Sequence, residues 1–307
     1  LKVLFISSYK NETEVSPFVK SQGDSLSELG VEVSYFLIKT KGITGYIKSI
    51  FLLRSFLTKN TFDIYHAHYS FSGFVASLAG CKPLIVSLLG SDVLKSKKNR
   101  LFIRLFNWFF KWKFLIVKSE EMKEKLGIEC AEVLPNGVNM NLFIPMEKEI
   151  CRKYLDWSIE EKIVLFNGSK TNLIKNFSLA EQVVSLIPFP ISLKTLTGFN
   201  PTEVAYCYNA CDVFLSTSVW EGSPNTIKEA MACNTPIIAT RVGDIPWLFG
   251  ENSGNKLSDF SPINLANHIV ELISIDSRKS NFGRNRLIEI NLQREQIALR
   301  LLTIYAQ

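Results

Sequence analysis

The chain has 307 residues, of which 47% are hydrophobic and 21% charged, with a net charge of +6. That balance suits two folded α/β domains and excludes a disordered or low-complexity chain. Residues 1–150 hold 20 Lys and Arg against 14 Asp and Glu, so all the excess positive charge lies in the first half and points to an anionic partner or surface there.

Leu1-Lys2-Val3-Leu4-Phe5-Ile6 reads as a buried strand and is too short for a signal peptide. Further strands are expected at 31–37, 62–66, 83–88, 114–118 and 131–134. Amphipathic helical patterns fall between them at 17–29, 46–58 and 98–112. After Pro135-Asn136-Gly137-Val138-Asn139, where Asn-Gly marks a turn, a polar stretch to Lys148 carries the chain into a second series. Its strands are expected at 162–167, 191–195, 212–216, 236–240 and 254–257, with helices at 176–187, 225–233 and 262–275. A long helical pattern over 277–306 ends the chain. Continuous apolar strands alternating with helices mean parallel sheets covered on both faces, here two doubly wound domains. No run of about 18 uncharged apolar residues occurs, so no transmembrane helix is expected.

Six cysteines (Cys81, Cys130, Cys151, Cys207, Cys211 and Cys233) form no C-x-x-C pair. Cys207 and Cys211, four apart on a helical pattern with no His nearby, read as buried thiols rather than a zinc site, and the set fits a reducing, cytoplasmic setting. Of three histidines, His66 and His68 sit at a strand end. They are expected on opposite faces, one in the cleft and one packed inside, with His68 beside Tyr69 on the acceptor side. His268 reads as structural. Asp92, after Gly90-Ser91, either orients a ligand or caps the next helix. From Val93 through Ser119 there is no acid, and Lys95 to Lys113 interleaves Lys and Arg with Phe, Leu and Trp. This reads as a surface that touches a membrane, or as an ordinary domain helix with solvated lysines. Residues 39–59 add Lys41, Lys48 and Arg54 without an acid. No nucleic-acid motif accompanies the charge, so no nucleic-acid partner is expected.

The richest segment runs from Ser216 to Cys233. The strand Asp212-Val213-Phe214-Leu215 leads through a Gly/Ser/Pro/Asn turn into a helix that begins near Asn225. Ligands of open α/β sheets bind at the carboxyl ends of strands, and a helix N-terminus there suits a phosphate. Two glutamates eight positions apart straddle the turn. Glu221 can face a sugar, and Glu229 can accept from the vicinal hydroxyls of a ribose.

This Glu-x7-Glu block, followed by Asn234-Thr235-Pro236-Ile237-Ile238-Ala239-Thr240-Arg241-Val242-Gly243-Asp244, resembles the donor-site signature of family 4 of the retaining glycosyltransferases. Phe18 to Gln22, Ser25-Leu26, Gly30, Asp63 to Tyr69, Gly90-Ser91-Asp92 and Pro135 to Val138 also follow that family's order. The resemblance implies a GT-B fold: two Rossmann-like α/β domains, 1–140 for the acceptor and 141–285 for the donor, facing across a cleft, with a C-terminal helix, 286–307, crossing back to the first. It implies that Glu221 contacts the transferred sugar and Glu229 the ribose. The turn Gly222, Ser223, Pro224, Asn225 and Thr226 would present its backbone N–H groups, all but Pro224 carrying one, to the diphosphate and sugar. Lys175 would be the diphosphate cation, since a departing nucleoside diphosphate gathers negative charge that a fixed cation stabilises. No metal and no cofactor are implied beyond the nucleotide sugar.

The chain departs from the family in four places. Gly168 is followed by Ser169 and Lys170 where relatives carry Arg, so Lys170 stands in without the bidentate fork. Leu89 replaces a histidine, which excludes a catalytic histidine there. The loop Tyr9 to Val15 lacks a Gly-Gly pair, with Ser16-Pro17 near the place. Residues 188–212 lack a strand–helix unit. The expectation is a retaining hexosyltransferase acting on a glycan or lipid-linked glycan in surface polysaccharide synthesis, at the inner face of the plasma membrane. A donor-binding but inactive subunit of a glycan assembly complex, a membrane adaptor and a sugar-nucleotide epimerase are the alternatives.

Overall fold

The computed structural model describes residues 1–8, 15–39, 42–251, 254–275 and 281–307. The expectations for the loop from Tyr9 onward, for Lys41 and for the start of the 277–306 pattern lie outside the described residues. The chain divides into two compact units, Leu1–Gly137 with Arg294–Gln307, and Val138–Gln293.

In the first unit the chain runs through β1 (Lys2–Ser8), α1 (Pro17–Glu28), β2 (Glu32–Ile38), α2 (Gly42–Leu57), β3 (Ile64–His68), α3 (Ser70–Ala79) and β4 (Leu84–Ser87). It continues through α4 (Ser91–Leu94), α5 (Lys97–Phe110), β5 (Phe114–Val117), α6 (Glu120–Leu126) and β6 (Glu132–Val133). The second unit holds α7 (Lys148–Tyr154), β7 (Ile163–Phe166), a 3-10 turn (Leu173–Lys175), α8 (Phe177–Ser185), β8 (Ser192–Thr195), α9 (Pro201–Ala210), β9 (Val213–Ser216) and α10 (Asn225–Ala232). It closes with β10 (Ile237–Thr240), α11 (Ile245–Phe249), β11 (Lys256–Ser258), α12 (Pro262–Ser274) and α13 (Gly283–Glu289). The last helix, α14 (Arg294–Ala306), belongs to the first unit.

Both sheets are parallel, ordered β2-β1-β3-β4-β5-β6 and β11-β10-β9-β7-β8. The central strands β1, β3, β4, β5, β7, β9 and β10 fall where the apolar runs placed them, because a strand covered on both faces is apolar throughout, whereas the edge strands β2, β6, β8 and β11 keep polar and half-exposed residues. Val3 to Ile6, Val164 to Phe166 and Val213 to Leu215 are all 0% exposed. One face of the first sheet packs Leu4, Ile6, Ala67 and Val86 against α2, α3, α5 and α6 through Leu53, Val75, Ile103 and Met122. In the second sheet, Val164, Phe166, Leu215 and Ile238 meet α8 and α12 through Leu179, Val183, Leu265 and Ile269. Tyr208 of α9 packs edge-on to Phe214, with ring centroids 5.2 Å apart.

Two expectations need correction. The terminal helical pattern is two helices, broken at Ile290–Gln293, where Asn291 takes φ +55 and Leu292 N–H bonds back to Leu287 O at 2.9 Å. Each piece is bound by its own unit. Arg284 of α13 donates to the carbonyls of Met140, Phe143 and Ala232, whereas Arg294 of α14 grips Glu28 of α1 at 2.8 Å. His66 and His68 also do not face opposite ways. Residues two apart on a strand share a face, and their rings stack at 4.4 Å with Phe5 against both. The segment 188–212 holds a single strand, β8, and a single helix, α9.

The paired imidazoles anchor α14. His66 Nδ1 lies 2.6 Å from the Tyr305 hydroxyl and its Nε2 lies 2.8 Å from Ser87 Oγ. Burial, with the Lys118 ammonium nearby, lowers His66 from 6.5 to about 3 and takes His68 well below its ordinary value. Groups depressed on folding stabilise fully above their unfolded value and lose that stability as pH falls toward the folded one. The share of the stability owed to the two imidazoles should therefore be constant above pH 6.5 and be lost as pH drops toward 3. His68→Leu should make that loss shallower, as read by thermal denaturation across the range. An unchanged slope in the variant would remove His68 from the titration.

Candidate functional site

In the second unit, loops from the carboxyl ends of β7, β9 and β10 converge, as an open parallel sheet dictates. Asn167 and Gly168 end β7, and Asn167 Nδ2 ties this end to Ser216 of β9 at 2.9 Å. Gly168 takes φ +112, and a Cβ there would lie 3.6 Å from Lys175 Cγ. Asn172 caps the 3-10 turn by accepting from Ile174 N–H at 3.1 Å. Val219 N–H bonds to Ile174 O at 2.8 Å, and Thr217 Oγ1 donates to the carbonyls of Lys175 and Asn176. Three bonds from the β9 loop thus hold the Lys175 backbone. Its ammonium meets Glu221 Oε1 at 2.6 Å, with the two side chains 18% and 12% exposed.

Glu221 opens the turn into α10. Pro224 is the N-cap and gives no side-chain cap, so the N–H groups of the first helical turn remain open to an anion. Asn225 Oδ1 and Thr226 Oγ1 are enclosed there without a partner. Glu229 lies one turn further along. Burial raises its carboxyl, and the Tyr208 hydroxyl donates to Oε2 at 3.1 Å, so its other oxygen can accept from a ligand hydroxyl. Thr240 Oγ1 donates to Ser218 O at 2.7 Å, which pins the β9 loop to the end of β10.

The structure thus brings Gly168, Lys175, Glu221, the turn Gly222 to Thr226 and Glu229 to one sheet end. Lys170 is exposed and its ammonium sits 4.9 Å over the Phe177 ring, two residues beyond Lys175. Three groups at this end were given no role from sequence. Tyr208 orients Glu229. Lys228 is 0% exposed and Asp244 is 9% exposed. Asp244 lies in the loop after β10, as Glu221 lies in the loop after β9. Among the described residues no group of His, Cys, Asp and Glu could hold a metal ion.

In the first unit, Asp92 is 1% exposed and its carboxylate accepts the N–H groups of Ser70, Leu89 and Gly90. It joins the β3–α3 loop to the β4–α4 loop, where Tyr69 takes φ +85 and Gly90 φ +123. Burial raises it to about 6 against those N–H groups. Asp92 lies inside α4, whose N-cap is Gly90, so it acts as a loop clamp. His68 is 2% exposed.

Two family models match this chain: "Glycosyl transferase 4-like" over residues 10–120 and "Glycosyl transferases group 1" over residues 180–274. The putative teichuronic acid biosynthesis glycosyltransferase TuaC of Bacillus subtilis is 27% identical over 217 residues, which is 62% of this chain and 56% of that protein. The chain thus spans little more than half of that relative's length. Sucrose-phosphate synthase from Thermosynechococcus elongatus superimposes with a TM-score of 0.85 at 18% identity, over 100% of this chain and 98% of that one. HepE of Anabaena in complex with UDP-glucose gives a TM-score of 0.78 at 16% identity, over 99% of each chain. With each family model falling on its own unit of a GT-B fold, this chain belongs to the group 1 glycosyltransferases, the GT4 family.

Proposed function

We propose that this chain moves a hexose from a nucleoside diphosphate sugar to a hydroxyl of a glycan or lipid-linked glycan, with retention at the anomeric carbon. The observation that carries the reading is the Lys175–Glu221 ion pair at the open N-terminus of α10, with Glu229 one turn on. The diphosphate takes the N–H groups of Gly222, Ser223, Asn225 and Thr226 and the Lys175 ammonium. Glu229 accepts from the ribose, and Glu221 from the sugar hydroxyls. The bond from the anomeric carbon to the phosphate oxygen breaks as the acceptor oxygen bonds to that carbon from the same face. The acceptor proton passes to the departing phosphate oxygen. Lys175 and the helix dipole stabilise the charge gathered on the leaving group. Because HepE was solved with UDP-glucose, UDP-sugars are the first donors to try. The teichuronic acid assignment of TuaC supports a surface polysaccharide acceptor.

The structure also sharpens the membrane reading of residues 95–113. On α5, Ile103 faces the core at 0% exposure. The opposite side carries Leu101, Phe102, Leu105, Trp108 and Phe109, with Trp108 70% and Phe109 69% exposed. An apolar stripe on the side of a helix away from its core marks an interaction surface. Lys95, Lys97, Lys98, Lys111 and Lys113 flank the stripe, all exposed. On α2, Phe51 is 63% exposed. This chemistry fits the surface of an anionic bilayer, where a lipid-linked acceptor would lie. No described helix is long and apolar enough to cross a membrane.

Titration calorimetry with UDP, GDP, ADP and CMP tests the donor site. Glu229→Ala should weaken the bound nucleotide by about 10- to 100-fold, the value of hydrogen bonds to a charged acceptor. Lys175→Gln should lower kcat by about 10²- to 10³-fold while the nucleotide still binds. Binding without turnover under any donor would favour the inactive-subunit reading instead. For the membrane face, wild type should sediment with vesicles rich in phosphatidylglycerol but not with pure phosphatidylcholine vesicles. Added salt should weaken that binding. The double variant Trp108→Ser/Phe109→Ser, which changes exposed rings alone, should stay in the supernatant. Equal sedimentation of the variant would remove α5 from the contact.

A further inference from the structure

Two buried charges lie under the donor turn and take no part in the chemistry above. Lys228 is on α10 beside Glu229, yet it is fully enclosed and its ammonium donates to Ser223 Oγ at 3.2 Å. Asp244 follows β10 with both carboxylate oxygens enclosed. Lys228 is the charge that most favours ionised Asp244, and Glu221 is the nearby charge that opposes it. Gly243, immediately before it, takes φ +56 and lies so close to the turn that a Cβ would stand 2.5 Å from the Glu221 carbonyl oxygen. Burial pushes Asp244 up to about 7 and draws Lys228 down to about 8, and each is held back by the other. Removing one partner of a buried pair leaves an uncompensated charge, whereas removing both does not.

We propose that Lys228 and Asp244 are positioning residues that hold the Glu221–Thr226 turn in its donor-binding shape, Lys228 through Ser223 and Asp244 through the Gly243 contact on Glu221. The inference rests on the donor-site reading above. Two consequences follow for a bound nucleoside diphosphate. The turn is ordered before the ligand arrives, so less conformational freedom is lost on binding. Glu221, Glu229 and Asp244 together would repel a diphosphate. Lys175 and Lys228 offset that field from two sides, Lys175 at the mouth and Lys228 beneath the turn.

The test is a double-mutant cycle with Lys228→Met, Asp244→Asn and the pair combined. Melting temperature, the Kd for UDP and the KM for acceptor are read on each protein. Each single variant should lose stability and raise the Kd for UDP by about tenfold or more. The double variant removes both of these charges and leaves only Glu229 without the Lys228 cation, so it should recover part of the melting temperature. It should still bind UDP several-fold more weakly than wild type, with the acceptor KM unchanged. Ser223→Ala, which cuts the link to the turn without altering charge, should weaken UDP binding a few-fold at near-native stability. If the double variant or Ser223→Ala binds UDP as wild type does, the pair is structural and the inference is overturned. If wild type itself binds no nucleoside diphosphate, the donor-site reading falls and the inference falls with it.

Discussion

The second unit depends on one contact, the closure of Lys175 on Glu221 at 2.6 Å across two loops. The two residues are 46 positions apart in the chain. A cation and a carboxylate held together, only 18% and 12% exposed, require both loops to be tied independently of the pair. Thr217 and Val219 tie the first loop, and Thr240 ties the second. Such preorganisation suits chemistry in which charge moves onto a leaving group. The stabilising groups must already be in place when the bond breaks, because reorganising them then would cost as much as they return.

The first unit solves a different problem. Its last helix comes from the far end of the chain, and a buried hydrogen bond from Tyr305 to His66 docks it. Burial that encloses His66 for this bond also disfavours its charged form. Asp92 plays the corresponding part at the strand ends, where one enclosed carboxylate holds two loops by three backbone N–H groups. In both places a polar group carries enough hydrogen bonds to be tolerated inside the sheet.

Several elements were legible without coordinates for a simple reason. Strands buried on both faces are apolar throughout, so Val3 to Ile6 and Val213 to Leu215 announce themselves. Glu221 and Glu229 stand out because the Glu-x7-Glu block at a strand end resembles the family's donor-site signature. Other features were not legible, each for its own reason. The break at Asn291 has no Gly or Pro to mark it; the helices part because different units bind them. The shared face of His66 and His68 follows from strand geometry alone and was misjudged. Lys170 turns to the Phe177 ring, a partner seven residues on that no motif names. Lys228 looks like a solvated lysine on an amphipathic helix until the burial of Ile227, Ala230 and Met231 around it is known.

The sequence by itself determined the two parallel sheets, the order of their strands along the chain, and the motifs that carry its resemblance to a family. These depend on periodicity and local spacing, which the chain carries at short range. Only the tertiary structure decided which charges meet. Lys175 finds Glu221, Lys228 finds Ser223 and the Asp244 field, and Asp92 reaches back to Ser70. Each pairing depends on how separate strand–loop–helix units pack side by side. That packing follows from the summed burial of their apolar faces and not from any single stretch of residues.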